Sequence, residues 1–233
     1  MPANRFFYPD QLTIGTTITL KDAEHHHMRV MRLEVGEEVE IINGMGALGL
    51  AKVTAMQKDS TQLSLKEVQQ NPPLKQQIIL VIPLMRSNKL EWIVEKGTEL
   101  GANAFHFYAA DFSEKMQLST NQLERLHNLC LSALKQSGSL FIPSLELLPS
   151  LQRALIEDST YYFGDTRESS KSILDVQCGK RTALITGPER GFSPAENELL
   201  GKKAQGVTLS KNILRAETAP LVGLSVLGLK ITS

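Results

Sequence analysis

The chain has 233 residues, 42% of them hydrophobic, with 25 Lys and Arg balanced by 25 Asp and Glu. That balance excludes a global basic field, and the hydrophobic share excludes disordered and fibrous classes. Two cysteines, Cys130 and Cys178, are too few for a disulfide framework or a Cys-rich zinc site.

No apolar run reaches the roughly 18 residues of a membrane span, and "MPANRFFYPD" has no signal-peptide core. The expectation is a soluble cytoplasmic protein with no membrane association. Residues 1–72 carry seven basic and nine acidic side chains, so neither half of the chain stands out as basic. Any nucleic-acid contact must rest on local clusters.

In chain order, "TTITL", "EEVEII", "GLAKVTAM" and "TQLSLKEV" are short alternating runs separated by turn formers such as Asn43-Gly44 and Asp59-Ser60. They predict a small β-barrel or sandwich of about 70 residues. Among them "DAEHHHMRVMRL" predicts a helix with Ala23, His26 or His27, Val30 and Met31 on one face. Three consecutive histidines point about 100° apart on a helix, so they do not converge on one metal ion. The reading is one inward His, with the others flanking Arg29 and Arg32. Those arginines, three apart on a helix face, are suited to phosphate. "GMGALG", Gly44 to Gly49, matches G-x-G-x-x-G, yet strand rather than helix follows, so it predicts a hairpin turn rather than a dinucleotide fingerprint.

"QQNPPLKQQ", residues 69–77, centres on Pro72 and Pro73 and reads as a linker. Two domains are expected, 1–72 and 73–233. Beyond the linker, strands alternate with helices, which implies an α/β domain around a parallel sheet. "QIILVIPL" is a strand buried on both faces. In "SNKLEWIVEKGTELG", Asn88 and Glu91 have capping-box spacing, Leu90, Ile93, Val94 and Leu100 share a face, and Gly101 supplies a stop. "AFHFYAA" is a strand, and "NQLERLHNLCLSALKQSG" a helix with Leu123, Leu126, Cys130, Ala133 and Leu134 on its stripe. Strands "TYYFG", "RTALIT" and "GVTLS" follow. Between the last two, Ser193, Pro194 and Glu196 mark a capped helix start.

Two strand ends carry the chemistry. In "LITGPERGFSPAE", residues 184–196, glycines at the end of an apolar strand let backbone approach a ligand. "GVTLSKNILRAETAPLVGLSVLGLK", residues 206–230, repeats the device: strand, polar loop, apolar helix. A helix apolar nearly all round needs burial on every side, in a core or a subunit interface, so an oligomer is expected.

The motifs "GPERGFSPAE" and "LSKNILRAETAPL", with "KQSGSLFIP" and "RSNKLEWIVEKGTELG" upstream, resemble the RsmE-type SPOUT methyltransferases, as do "RFFY" at 5–8 and "HMRVMRLEVGEEVEIING" at 27–44. The resemblance spans essentially the whole chain. It implies an α/β C-terminal domain with a trefoil knot, an N-terminal PUA-like β-barrel, and methylation of uridine N3 in 16S ribosomal RNA of the small subunit with S-adenosylmethionine. It further implies a homodimer through the knot helices and no metal.

The cofactor residues implied are Phe163, Gly164, Thr186, Gly187, Pro188, Glu189, Gly191, Leu209, Ser210, Ile213, Leu214 and Thr218. Arg215 is the expected stabiliser of the uracil anion, with Glu189 or Glu217 as proton acceptor. Arg5, Arg29, Arg32 and Arg86 are the expected RNA contacts. The chain departs from the family pattern at Lys135, Ser139, Arg190, Ser210 and Asn212. The same motifs also accommodate a SPOUT enzyme acting on another RNA such as tRNA, and a non-catalytic RNA-binding or ribosome-assembly protein.

Overall fold

The computed structural model describes residues 4–114, 116–155, 158–167 and 169–231. The chain divides into two compact units, Met1–Pro73 with Leu134–Ile142, and Leu74–Ala133 with Pro143–Ser233. The first is therefore not one continuous segment.

In the first unit, β1 (Arg5–Phe7), β2 (Thr17–Lys21), β3 (Glu38–Ile42), β4 (Ala47–Met56) and β5 (Ser60–Gln70) form a curled sheet in the order β1-β3-β4-β5-β2. Only the β1–β3 pairing is parallel. Alternation places Val39, Ile41, Ala51, Val53, Leu63 and Leu65 on one buried face, where they enclose Phe6 and Met28. Each of the larger side chains contributes about 1.5–3 kcal/mol by leaving water. The glycine-rich stretch is the β3–β4 turn: Gly44 (φ +71°) and Gly46 (φ +91°) adopt left-handed backbone there.

The helix α1 (Asp22–Val30) forms as expected, but with a different buried face. His25 and Met28 point inward, while Ala23, His26, Val30 and Met31 are exposed. The His25 ring explains the register: Nδ1 lies 2.8 Å from Thr61 Oγ1 and Nε2 lies 3.1 Å from the Lys58 carbonyl, so both ring nitrogens are satisfied inside. His27 packs its ring on Phe6, with centroids 5.2 Å apart.

The second unit contains β6 (Gln77–Pro83), β7 (Ala104–Tyr108), β8 (Ser144–Leu148), β9 (Thr160–Gly164), β10 (Lys171–Ser172), β11 (Arg181–Ile185) and β12 (Gln205–Thr208). Their order is β10-β12-β9-β11-β6-β7-β8, and every pairing is parallel. Helices α2 (Ser87–Glu99), α3 (Thr120–Ser137), α4 (Leu151–Ala154), α5 (Pro194–Lys203) and α6 (Ala219–Ile231) connect or close the sheet. Ile78 through Pro83 are all buried, as a central strand covered on both faces requires.

At α5 the expected capping box is complete: Glu196 N–H donates to Ser193 Oγ at 3.1 Å, and Ser193 N–H donates to Glu196 Oε2 at 2.9 Å. Ser193 Oγ also donates to Asp111 Oδ2 at 2.5 Å, joining this start to the loop after β7. At α2 the expected box is absent. The cap is Arg86 with no side-chain cap bond, and Glu91 instead accepts Arg125 Nε at 2.7 Å. Leu100, placed by pattern on the inner face of α2, is 41% exposed, because that face runs through Leu90, Ile93, Val94, Gly97 and Thr98. The helix α6 buries Pro220, Gly223, Leu224 and Leu227, and leaves Ser225 and Leu229 exposed.

Candidate cofactor and active site

Because β12, β9 and β11 are neighbours and parallel, their carboxyl ends share one edge of the sheet. Ligands of open α/β sheets bind outside such an edge. The three following loops wall a cavity of about 1010 Å³ there.

Of the implied cofactor residues, Phe163, Gly164, Thr186, Gly187, Pro188, Glu189, Gly191, Leu209, Ser210, Ile213 and Leu214 all line this cavity. Thr218 does not. It begins α6 instead, its carbonyl accepting Val222 N–H at 3.1 Å while its own N–H reaches the Arg215 carbonyl at 2.9 Å. Arg215, Glu189 and Glu217 also line the cavity, so residues distant in sequence meet through the parallel sheet.

Pattern reading did not single out Lys89, Asp165, Arg167 or Phe192 from this lining. Phe192 stands edge-on to Phe163, with centroids 6.0 Å apart. Asp165 binds Ser170 Oγ at 2.5 Å and Arg167 Nε at 2.8 Å, which fixes the loop after β9. Burial pushes its carboxyl up, but these hydrogen bonds prevail and hold it below the usual range. Its neighbour across the sheet must be glycine-sized, since a Cβ on Gly206 would fall 2.5 Å from Asp165 Oδ2. A strand glycine with a polar residue just past the adjacent strand end is the only sequence signal for this pair.

Lys89 has a larger effect on the site. Its Nζ lies 2.7 Å from Glu189 Oε1 and 3.2 Å from Glu217 Oε2. The hydrogen bond to Glu189 raises the Lys89 pKa first, burial opposes it, and Glu217 adds to the rise. For Glu189, burial is the largest influence and acts upward, yet Lys89, a backbone N–H and Arg86 together hold the carboxyl below its usual range. Glu217 Oε2 is within ion-pair range of Lys89 but off the hydrogen-bonding axis, so it is buried with no hydrogen-bond partner. Arg215 is 86% exposed in its side chain and only 3.9 Å from Glu217 Oε1, a loose contact that leaves its guanidinium at the rim.

Thr186 is 2% exposed and its Oγ1 is buried without a partner. Its carbonyl, by contrast, accepts the hydroxyl of the fully buried Tyr108 at 3.0 Å, which fixes the start of the loop. An orphaned hydroxyl and glycines around a large cavity with apolar walls fit a ligand that combines apolar and hydrogen-bonding parts. Among the described residues no group of three or more His, Cys, Asp or Glu side chains gathers into a metal site. No helix among them is long and apolar enough to cross a membrane.

The expected RNA contacts separate. Arg29 is exposed on α1. Arg32 is exposed but lies past the helix end with φ +57°, so the two arginines do not share a helix face. Arg86 is 70% exposed and pairs with Glu114. Arg5 is different: its side chain is 8% exposed and is clamped by Glu40 at 2.6 Å, a cross-strand pair inside the first unit. That guanidinium is committed to the fold, and Arg5 is withdrawn as an RNA contact. Of the departures from the family pattern, Lys135 is accounted for by its pairing with Glu24 at 2.5 Å, and Arg190 stacks on the Phe112 ring at 4.8 Å.

Comparison with known proteins agrees with this geometry. An RNA methyltransferase domain matches residues 72–228, and an RNA methyltransferase PUA domain matches residues 20–66. The Ribosomal RNA small subunit methyltransferase E of Bacillus subtilis is 30% identical over 93% of this chain and 91% of its own. That of Rickettsia conorii is 27% identical over 97% of this chain and 95% of its own. The crystal structure of the Neisseria gonorrhoeae protein of that name, bound to S-adenosyl methionine, superposes with a TM-score of 0.86 at 24% identity, covering 97% of this chain and 96% of that one. The fold is thus the knotted SPOUT α/β domain with a PUA-like N-terminal barrel. With a methyltransferase domain over two thirds of its length and relatives aligned nearly end to end, the chain belongs to the RsmE-type family of RNA methyltransferases.

Proposed function

We propose that this protein methylates N3 of a uridine in the 16S ribosomal RNA of the small subunit, using S-adenosylmethionine. The carrying observation is the cavity of about 1010 Å³ at the carboxyl ends of β9, β11 and β12 in a chain of this family. The names of the relatives and the cofactor in the Neisseria structure support the substrate class and the methyl donor.

The donor fits this lining: the small Gly164 and Gly187, the buried Thr186 hydroxyl that lacks a partner, and apolar walls from Phe163, Leu209, Leu214 and Phe192. When bound it supplies an electrophilic methyl on a sulfonium. The chain's own task is to place and charge the nucleophile. Uridine N3 becomes nucleophilic only as its proton leaves, so negative charge develops on the uracil oxygens. Arg215, loosely held at the rim, is the group free to meet that charge.

RNA is held by Arg29 and Arg32 on the first unit and Arg86 on the second, through phosphate contacts. The division of labour follows the PUA-like first unit, which takes in Leu134–Ile142 besides the N-terminal residues, and the methyltransferase unit that holds the cavity. Trp92 and Leu100 of α2, 51% and 41% exposed, and Leu229 of α6, 73% exposed, belong to a homodimer interface through the knot helices. The protein works in the cytoplasm. Incubating it with small-subunit RNA lacking the modification, and mapping the product by mass spectrometry, tests the reading. A single N3-methyluridine in 16S RNA is expected, and methylation confined to tRNA or none at all would overturn it.

A further inference from the structure

Lys89 occupies the first turn of α2, where the positive end of the helix dipole makes a cation unfavourable. No acidic residue in that turn compensates. Other charged residues of α2 pair along the helix or with α3, as Lys96 does with Glu95 and Glu99, and Glu91 with Arg125. Lys89 instead leaves the helix and reaches two cavity loops: Glu189 after β11 at 2.7 Å and Glu217 after β12 at 3.2 Å. With Arg215 3.9 Å beyond Glu217, the charges alternate as Glu189, Lys89, Glu217, Arg215. The remaining charge facing Glu189 is Arg86, itself held by Glu114.

We propose that Lys89 is a positioning residue for methyl transfer: it ties the two loops together through Glu189 and Glu217 and commits both carboxylates as structural anions. The inference rests on the methyltransferase reading above. Neither carboxylate then takes the N3 proton. When the N3–H bond breaks, the electron pair stays on N3 beside Arg215 and the proton passes to a solvent water. For Glu189 to act as base it would have to give up its 2.7 Å hydrogen bond, and the ammonium beside it depresses its basicity. Glu217 is one of two acids sharing one lysine, and its side chain is 17% exposed, so it depends on that cation for charge balance.

The test begins with the wild-type protein: absence of transfer to small-subunit RNA defeats the functional reading and, with it, a role for Lys89 in methyl transfer, whereas the variants below test Lys89 itself. Given transfer, single-turnover rates are measured across pH for wild type, Lys89→Met, Lys89→Arg, and the triple variant Lys89→Met, Glu189→Gln, Glu217→Gln. Wild type should accelerate with pH and show no carboxylate inflection. Lys89→Met should be slower by about tenfold or more and acquire an acidic limb, as the Glu189 carboxylate, no longer held below its usual range by the ammonium, takes up a proton. Lys89→Arg should restore most of the rate. The triple variant, which loses the tie but has no carboxylate left to titrate there, should be about as slow as Lys89→Met and lack its acidic limb. An unchanged pH profile in Lys89→Met overturns the proposal. So does a triple variant that folds, binds cofactor by calorimetry and is inert, because a carboxylate would then be the base. If Lys89→Met fails to fold, the triple variant alone decides.

Discussion

A Cβ placed on Gly223 would stand 2.2 Å from Leu184 Cδ2, so α6 lies on β11 at a separation that only glycine permits. Leu184 is fully buried in the central sheet. Gly223→Ala gains about 1 kcal/mol of helix propensity and meets overpacking of about 1–3 kcal/mol. We expect a net fall in Tm by calorimetry. Since α6 continues directly from the cavity loop ending at Glu217, weaker binding of S-adenosylmethionine should accompany it. A rise in Tm would show that the helix can shift outward.

Arg215→Ala should separate chemistry from stability. An exposed, loosely paired arginine contributes at most about 1 kcal/mol to folding, whereas removal of one charge-stabilising donor lowers turnover by about 10²–10³-fold. The expected result is that loss in single-turnover rate with cofactor affinity within about twofold of wild type. An unchanged rate would remove Arg215 from the mechanism.

Arg32 closes α1 in a Schellman geometry: its N–H reaches the Arg29 carbonyl at 3.0 Å, and Leu33 N–H reaches the Met28 carbonyl at 3.2 Å. Glycine is the usual residue at that left-handed position, and a side chain there costs about 1 kcal/mol. Arg32→Gly should therefore stabilise the protein in denaturant titrations while weakening RNA binding and reducing its salt slope by about 1. Unchanged RNA affinity would leave Arg32 with a cost and no compensating use.

His106 gives a pH-dependent term. Burial lowers its pKa from the ordinary 6.5, Glu146 at 3.4 Å opposes the shift, and Arg181 adds to it. Because the folded value lies below the unfolded one, the folded state resists protonation. The associated stability is fully present above about pH 6.5 and is lost as pH falls toward the folded pKa. Chemical denaturation at pH 7.5 and pH 5 should show a larger acid loss for wild type than for His106→Phe. Equal losses would mean that the ring titrates normally.

The elements that sequence pattern located are those whose burial is periodic or whose ends are chemically marked. Ile78 to Pro83 read as a central strand because every residue is apolar, and α5 was legible from Ser193, Pro194 and Glu196. The short strands β1, β8 and β10 and the single turn α4 carry no such signal, because brief or edge elements bury little. On α1, the pattern pointed to a face through Ala23, His26 or His27, Val30 and Met31, and the fold buries His25 and Met28 instead, because the Thr61 hydroxyl and Lys58 carbonyl, supplied by β5 and the turn before it, hold the His25 ring inside.

For the site, local sequence determined the loop chemistry: glycines and small polar residues at the ends of apolar strands, and the apolar character of α6. The family motifs added the methyl donor. Neither could reveal that Lys89 lies between Glu189 and Glu217, 100 and 128 residues further along, or that Arg5 is committed to Glu40. Those pairings depend on which strands become neighbours and in what register. Charge pairing falls off over a few ångströms, and only the folded sheet brings such distant residues within that range.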